Sequence, residues 1–371
     1  MIELLGIEEK TYTLNLGPQH PSTHGVLRVL LEMDGEFITK AEPVIGYGHR
    51  GHEHMAENRN YAQFLPNLGR VDYLHALAYN QCYCMAVEKL LGLVVPERAE
   101  FIRVMTNELN RISSHLLWFG AYLLDLGAFT PIMYCFDDRE HILDLLDRVT
   151  GSRLTYCYYR FGGVPTDIDD EFVAGCRDFV KRLRSRWCDY DNLVTKNVIF
   201  INRAKDVGLI TKDQCVKYGL TGPILRGSGI AYDIRKSEPY SAYPEFDFEI
   251  PTGTRGDIFD RYMVRLAEME QSCRIIEQAC DKLPNGPIMA EKVPKRIKPA
   301  EGEVYQAVET ARGEFGMYIV SKGDVKPYRI KLRTPSFANM SVFSELAVDT
   351  LVADLVAILG SIDVVIPEID R

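Results

Sequence analysis

Apolar residues recur at alternating three- and four-residue steps between 97 and 124, at Ile102, Met105, Leu109, Ile112, Leu116 and Phe119. That period predicts a long helix with one apolar face, and Glu108, Arg111 and His115 recur along another face of it. Pro96 suits the helix start, and Gly127 suits its end. A second stripe runs through Phe259, Tyr262, Leu266, Met269, Cys273, Ile276, Cys280 and Leu283, closed by Pro284-Asn285-Gly286. It predicts another long helix, with Cys273 and Cys280 inside the core. A last apolar helix is expected over about 343–359, and helical patterning is expected from about Asp72 onward.

The two ends of the chain read differently. Thr11 to Leu16 and Val26 to Met33 have strand character, and Asp34-Gly35 predicts a hairpin into Glu36 to Thr39. Toward the C-terminus, Met317 to Val320 and Tyr328 to Leu332 flank a Lys322-Gly323-Asp324 turn, predicting a second hairpin after a Lys/Pro-rich connection over 291–299. The expected fold is therefore α+β and mainly α, with an N-terminal β-rich segment at 1–65, a helical core at 66–290, and a C-terminal hairpin and helix at 291–371, all in one integrated domain.

Composition narrows the class. The chain has 371 residues, 46% hydrophobic and 26% charged, with a formal charge of −9. That is ample for a core, and the acidic balance argues against a nucleic-acid partner. No run of about 18 apolar residues suggests a membrane span, and the acidic first ten residues do not read as a secretory signal. Nine scattered cysteines fit reduced thiols in a cytoplasmic setting.

Four signatures are missing: G-x-G-x-x-G after a strand, G-x-x-x-x-G-K-[ST], G-x-S-x-G and H-E-x-x-H. Arg226-Gly227-Ser228-Gly229 lacks a phosphate-loop fingerprint and reads as a turn. His49-Arg50-Gly51-His52-Glu53-His54 has plausible metal-ligand types, but its spacing favours a solvated loop. The stronger candidates lie elsewhere. Gly17-Pro18-Gln19-His20-Pro21-Ser22-Thr23-His24-Gly25 displays two histidines on a loop, and Arg70-Val71-Asp72-Tyr73-Leu74-His75 puts a tyrosine at a helix start. A loop His and a Tyr can present two hydrogen-bond donors to a ligand with two carbonyls, with Asp125 available to charge the His.

These residues carry a resemblance. Asn15 to Arg28, Ile45-Gly46-Tyr47, Glu57-Asn58-Arg59 and Asp72-Tyr73-Leu74 resemble, in order, the family of the quinone-site D subunit of respiratory complex I. So do Asn107 to Arg111, Ser114-His115-Leu116, Phe161 to Val164, Arg255-Gly256-Asp257, Ala311 to Glu314, Pro327-Tyr328-Arg329 and Asp370-Arg371. That family is similar to the large subunit of [NiFe]-hydrogenases, which hold nickel with two C-x-x-C pairs. No C-x-x-C stands anywhere in this chain, so nickel ligation and hydrogenase activity are not expected.

The resemblance implies a hydrogenase-like fold and membership of a proton-pumping NADH:quinone oxidoreductase. His24 and Tyr73 would be the ligands of the quinone headgroup, and Asp125 the carboxylate paired with His24. Arg70 and His115 would lie beside the terminal iron–sulfur cluster of the B subunit. Quinone would be the substrate, while NAD and the clusters would be bound by other subunits. The B, C and I subunits and the membrane-embedded H subunit would be the partners, and the chain would sit peripherally on the cytoplasmic face of the inner membrane. A related quinone or phenazine reductase with another electron donor is the alternative.

Overall fold

The structure is a computed structural model that describes residues 11–18 and 26–371. At the N-terminal end, β1 (Tyr12–Leu16), β2 (Arg28–Asp34) and β3 (Phe37–Val44) form an antiparallel sheet in the order β1-β2-β3. Val29, Leu31 and Met33 alternate inward along β2, as a sheet with one covered face requires. Gly35 takes the left-handed conformation that the tight Asp34-Gly35 turn needs.

Short helices follow directly: α1 (His52–Asn58) and α2 (Tyr61–Leu68). Then come α3 (Ala76–Leu91), α4 (Glu97–Asp125), α5 (Thr130–Thr150) and α6 (Asp170–Tyr190). Four short helices, α7 (Val198–Ala204), α8 (Lys212–Tyr218), α9 (Pro223–Gly227) and α10 (Ile234–Ser237), lead to the long α11 (Ile258–Lys282). The second antiparallel sheet is β4 (Glu301–Thr310), β5 (Gly313–Lys322) and β6 (Arg329–Arg333). The chain ends in α12 (Pro335–Met340), α13 (Phe343–Ala347), α14 (Val352–Ile362) and α15 (Ile366–Asp370).

Helix α4 is the axis of the molecule. Its 29 residues span about 43 Å, and nearly every side chain from Ala99 to Leu123 is buried, polar ones included. It packs against α5 on one side and α11 on another, while α3 lies on β4. The α11 stripe is buried at Tyr262, Met269, Cys273, Ile276 and Cys280, and Asp257 caps its start by accepting from the Asp260 amide at 2.8 Å. Among the described residues no helix is long and apolar enough to cross a membrane.

The architecture is α+β and mainly α, with four local departures from expectation. The 49–54 segment is a solvated loop only at its start, where His49 and Arg50 are exposed: α1 begins at His52, whose ring is buried and pushed down to about 4, first by burial and then by Arg50. The single helix expected over 343–359 is split, because Asp349 adopts φ 60° and residues 349–350 exchange backbone hydrogen bonds with Ile38 of β3 instead. The C-terminal hairpin is joined by β4 into a three-stranded sheet, and Arg226-Gly227 closes a buried helix rather than forming an exposed turn.

Candidate functional site

Tyr73 sits on the turn between α2 and α3, just before the helix on which sequence reasoning places it. The turn is built by its neighbours. Asp72 is fully buried, and its Oδ1 accepts from the Leu74 amide at 2.9 Å and the His75 amide at 3.2 Å. That side-chain bridge makes Tyr73 the apex of an Asx-type turn. Asp72 and Leu74 both point inward, so the residue between them points out. Tyr73 is 39% exposed accordingly, although the phenol is still partly enclosed. Its proton affinity is raised by burial first, then by the Asp72 charge, with Arg312 opposing.

Behind Tyr73 lies a cluster gathered by one cation. The Arg312 guanidinium is fully buried in the turn between β4 and β5. It donates to Asp72 Oδ2 and to Ser114 Oγ at 3.1 Å, and it stands 3.4 Å from Asp363 Oδ2 and 3.3 Å from Glu368 Oε2. Three buried carboxylates thus face one guanidinium. Glu368 also accepts from the Tyr79 hydroxyl at 2.6 Å and from Ser336 Oγ. Burial pushes Asp363 up to about 6 although Arg312 and Arg265 oppose it, and burial with Asp72 raises Glu368 too. Two residues after Tyr73, His75 is locked as a neutral ring. Its Nδ1 accepts from the Ala311 amide at 2.9 Å, leaving Nε2 to donate to the Asn107 carbonyl at 3.2 Å.

Of the other sequence candidates, the structure describes Asp125, Arg70 and His115. His20 and His24 lie outside the described residues. Asp125 is the last residue of α4 and is half-buried. Arg70 is exposed at the end of α2, three residues before Tyr73, with its Nη1 donating to the Pro66 carbonyl at 2.6 Å. His115 stands ten residues before Asp125, about 15 Å back along α4. Its ring is wholly buried within the chain.

Around His115 the interior is charged rather than apolar. Its Nε2 is 3.2 Å from Glu268 Oε2, and the other oxygen of Glu268 accepts from Arg226 Nε at 2.7 Å. Arg226 then reaches Glu309 Oε1 at 2.8 Å. Glu108 accepts from Arg111, Arg235, Tyr243 and Ser272 in the same lattice. Burial pushes the His115 ring down to about 4 despite Glu268, which keeps it neutral near neutral pH. Sequence reasoning singles out Glu108, Arg111 and His115 on α4 but not the partners that meet them, Arg226, Arg235, Glu268 and Glu309. It likewise finds Ala311-Arg312-Gly313-Glu314 without giving the arginine a role.

The chemistry open to the site follows from these parts. A phenol at the tip of a rigid turn, backed by a desolvated charge cluster, can donate a hydrogen bond and then a proton to an oxygen on which negative charge develops. Among the described residues no group of three or more His, Cys, Asp or Glu is placed to hold a metal ion, and the buried carboxylates are turned onto Arg312.

Comparison with known proteins agrees with the motifs. A family model described as the respiratory-chain NADH dehydrogenase 49 kDa subunit matches residues 125–301 and 291–371. The D subunit of NADH-quinone oxidoreductase from Syntrophobacter fumaroxidans is 63% identical over 368 residues, 99% of each chain. The protein of that name from Desulfotalea psychrophila is 62% identical over 98% of each chain, and the second D subunit of Opitutus terrae is 57% identical over 98% of this chain and 91% of its own. The chain belongs to the family of the respiratory-chain NADH dehydrogenase 49 kDa subunit.

Proposed function

We propose that this chain is the peripheral, quinone-site subunit of a proton-pumping NADH:quinone oxidoreductase and forms the headgroup end of its quinone pocket. The observation that carries this reading is the Tyr73 turn: an outward phenol held by two backbone bonds to Asp72 and backed by the Arg312 cluster. Tyr73 donates to one quinone carbonyl oxygen and His24 to the other. Two-electron reduction builds negative charge on both oxygens, and a phenol and an imidazolium aimed at them stabilise that charge and supply two protons. Asp125 favours the protonated form of His24 and loses its cationic partner when the proton leaves. That local change of charge biases the adjoining membrane-embedded H subunit, the step that links reduction to proton translocation.

Electrons arrive from the terminal cluster of the B subunit, whose side of the site carries the exposed Arg70, and the C and I subunits complete the peripheral assembly on the cytoplasmic face of the inner membrane. His115 would lie beside that cluster too, as a buried ring.

The test is quinone reductase activity of the assembled complex carrying Tyr73→Phe or His24→Ala, with metal analysis alongside. Tyr73→Phe is expected to assemble normally, since the side chain is partly exposed, and to lower the rate by about 100-fold or more. Full rates in both variants with native and short-chain quinones, or stoichiometric nickel on this chain, would defeat the proposal.

A further inference from the structure

Tyr73 lies in no helix or strand. Its backbone is held by Asp72, and Asp72 is held from the far end of the chain by Arg312, 240 residues away. Arg312 is in turn fixed from every side. Its amide donates to Thr310 Oγ1 at 3.2 Å, its carbonyl accepts from Asn339 of α12 at 3.1 Å, and the preceding Ala311 amide is bound by the His75 ring. The backbone of this turn also lies so closely against Gly222 that a Cβ there would collide with the Arg312 carbonyl oxygen. Arg312 therefore joins the turn bearing Tyr73 to the second sheet, to α12 and, through Asp363 and Glu368, to α14 and α15.

We propose that Arg312, with Asp72 and Asp363, positions Tyr73 and sets how readily its phenol gives up a proton to the reduced quinone. This inference rests on the reading of Tyr73 as a headgroup ligand and adds the groups that act through it. Among the described residues, the charges facing Tyr73 come from its own turn (Asp72), from the β4–β5 turn (Arg312) and from the end of α14 (Asp363); Glu368 reaches it only through Arg312. Arg312 draws the phenol toward ionisation, and the two aspartates oppose it. The charge of Arg265, on α11, also acts on Asp363; removing either aspartate leaves these guanidiniums less compensated and makes the phenol a stronger acid. All three groups are buried behind Tyr73 and act through it, so they are positioning residues.

The variants are Asp72→Asn and Asp363→Asn. Asparagine retains an Oδ1 acceptor for the Leu74 and His75 amides, and at residue 363, where φ is 56°, asparagine suits the left-handed backbone. Two readouts are needed. In the full chain, the Tyr73 phenol is titrated by the tyrosinate absorbance difference between each variant and the same variant carrying Tyr73→Phe; the midpoint is expected to fall by about one pH unit, a tenfold loss of proton affinity. In the assembled complex, the alkaline limb of the kcat profile is expected to move to lower pH in step, with KM for quinone changed less than about threefold. A structural role alone would change assembly or KM and leave both midpoints in place.

An unmoved Tyr73 midpoint in Asp363→Asn overturns the inference even where Asp72→Asn fails to fold. The quinone reading stands or falls separately, on the activity of Tyr73→Phe. If Tyr73→Phe is fully active while the phenol midpoint does shift, the electrostatic arrangement holds and the headgroup assignment fails.

Discussion

Arg312 and Arg265 are both buried, in opposite company. Arg312 faces Asp72, Asp363 and Glu368. Arg265 lies over the Trp118 ring at 4.2 Å and donates to the Arg261 carbonyl, while its Nε and Nη2 have no partner among the described residues. A desolvated cation with no hydrogen-bonded carboxylate is costly, and burial brings Arg265 down to about 10 although the charges of Asp363 and Glu268 oppose it; burial brings Arg261 to about 10 as well, with Arg265 adding to the effect there. Arg312 and Arg265 should therefore respond differently to the same change. Arg312→Met leaves three buried carboxylates without their cation and is expected to cost about 3–5 kcal/mol, whereas Arg265→Met should cost less than about 1 kcal/mol or stabilise. Urea unfolding of the purified chain compares them directly. Equal losses would mean that Arg265, too, is held by its surroundings as an essential charge.

At the scale of elements, the site depends on how the β4–β5 turn is seated. Gly222 at the start of α9 has φ 73°, and Gly313 in the turn has φ 131° with Thr221 Oγ1 only 2.5 Å from where a Cβ would stand. Gly92, at the end of α3, has a similar φ of 64° but open space around it. Gly222→Ala is expected to cost about 2–4 kcal/mol by strain and collision, and Gly92→Ala about 1 kcal/mol from its backbone conformation alone. Thermal melts separate the two, and Gly222→Ala should also slow quinone reduction because it displaces Arg312. A Gly222→Ala protein as stable and active as Gly92→Ala would show that the turn is not held there.

The same scale explains what the sequence can show. Helices α4 and α11 are legible to within a residue or two because a long apolar stripe and local boundary signals, Pro96 for α4 and Pro284-Asn285-Gly286 for α11, are read from neighbours in sequence. Helices α1 and α2 escape such a reading because they are short, one carries two histidines, and the other contains Pro66. Tyr73 is legible as a candidate and its turn is not, since the turn is made by Asp72 bonds that a helix-start reading does not foresee. The Arg312 cluster is hidden altogether: two of its partners are 240 and 51 residues away, and nothing local marks an arginine in a β turn as their meeting point.

Across the whole molecule, buried acids and bases oppose one another in how stability depends on pH. His115 and His52 are each pushed down to about 4, mainly by burial, and His75 is held well below its ordinary value, again mainly by burial. A histidine whose folded pKa is depressed contributes stability that is present above its unfolded value of 6.5 and is lost as pH falls through the folded value. For His115, fully buried, the difference from 6.5 to about 4 corresponds to something on the order of 3 kcal/mol. Against the opposing effect of burial, Arg226 holds Glu268 low and Arg111 holds Glu108 low, so both add to the loss on the acid side.

Asp363 works in the other direction. Its folded value is raised from 3.8 to about 6, so its contribution is complete below 3.8 and disappears as pH rises through 6. Glu309 and Glu368, raised from 4.5 to about 7 mainly by burial, act with the same sign. Between about pH 4.5 and 6.5 the histidines therefore gain stability with rising pH while these carboxyls lose it. The thermal midpoint of the full chain is expected to be nearly level across that window and to fall below about pH 4, where Glu268 and Glu108 are protonated on unfolding. Removing one side exposes the other. His115→Gln should make the midpoint decline as pH rises from about 4.5 to 6.5, and Asp363→Asn should make it climb over about 4 to 6. If Asp363→Asn keeps the level profile, the Asp363 carboxyl ionises in the folded chain as easily as in the unfolded one, and the charges of Arg312 and Arg265 together offset the whole effect of its burial.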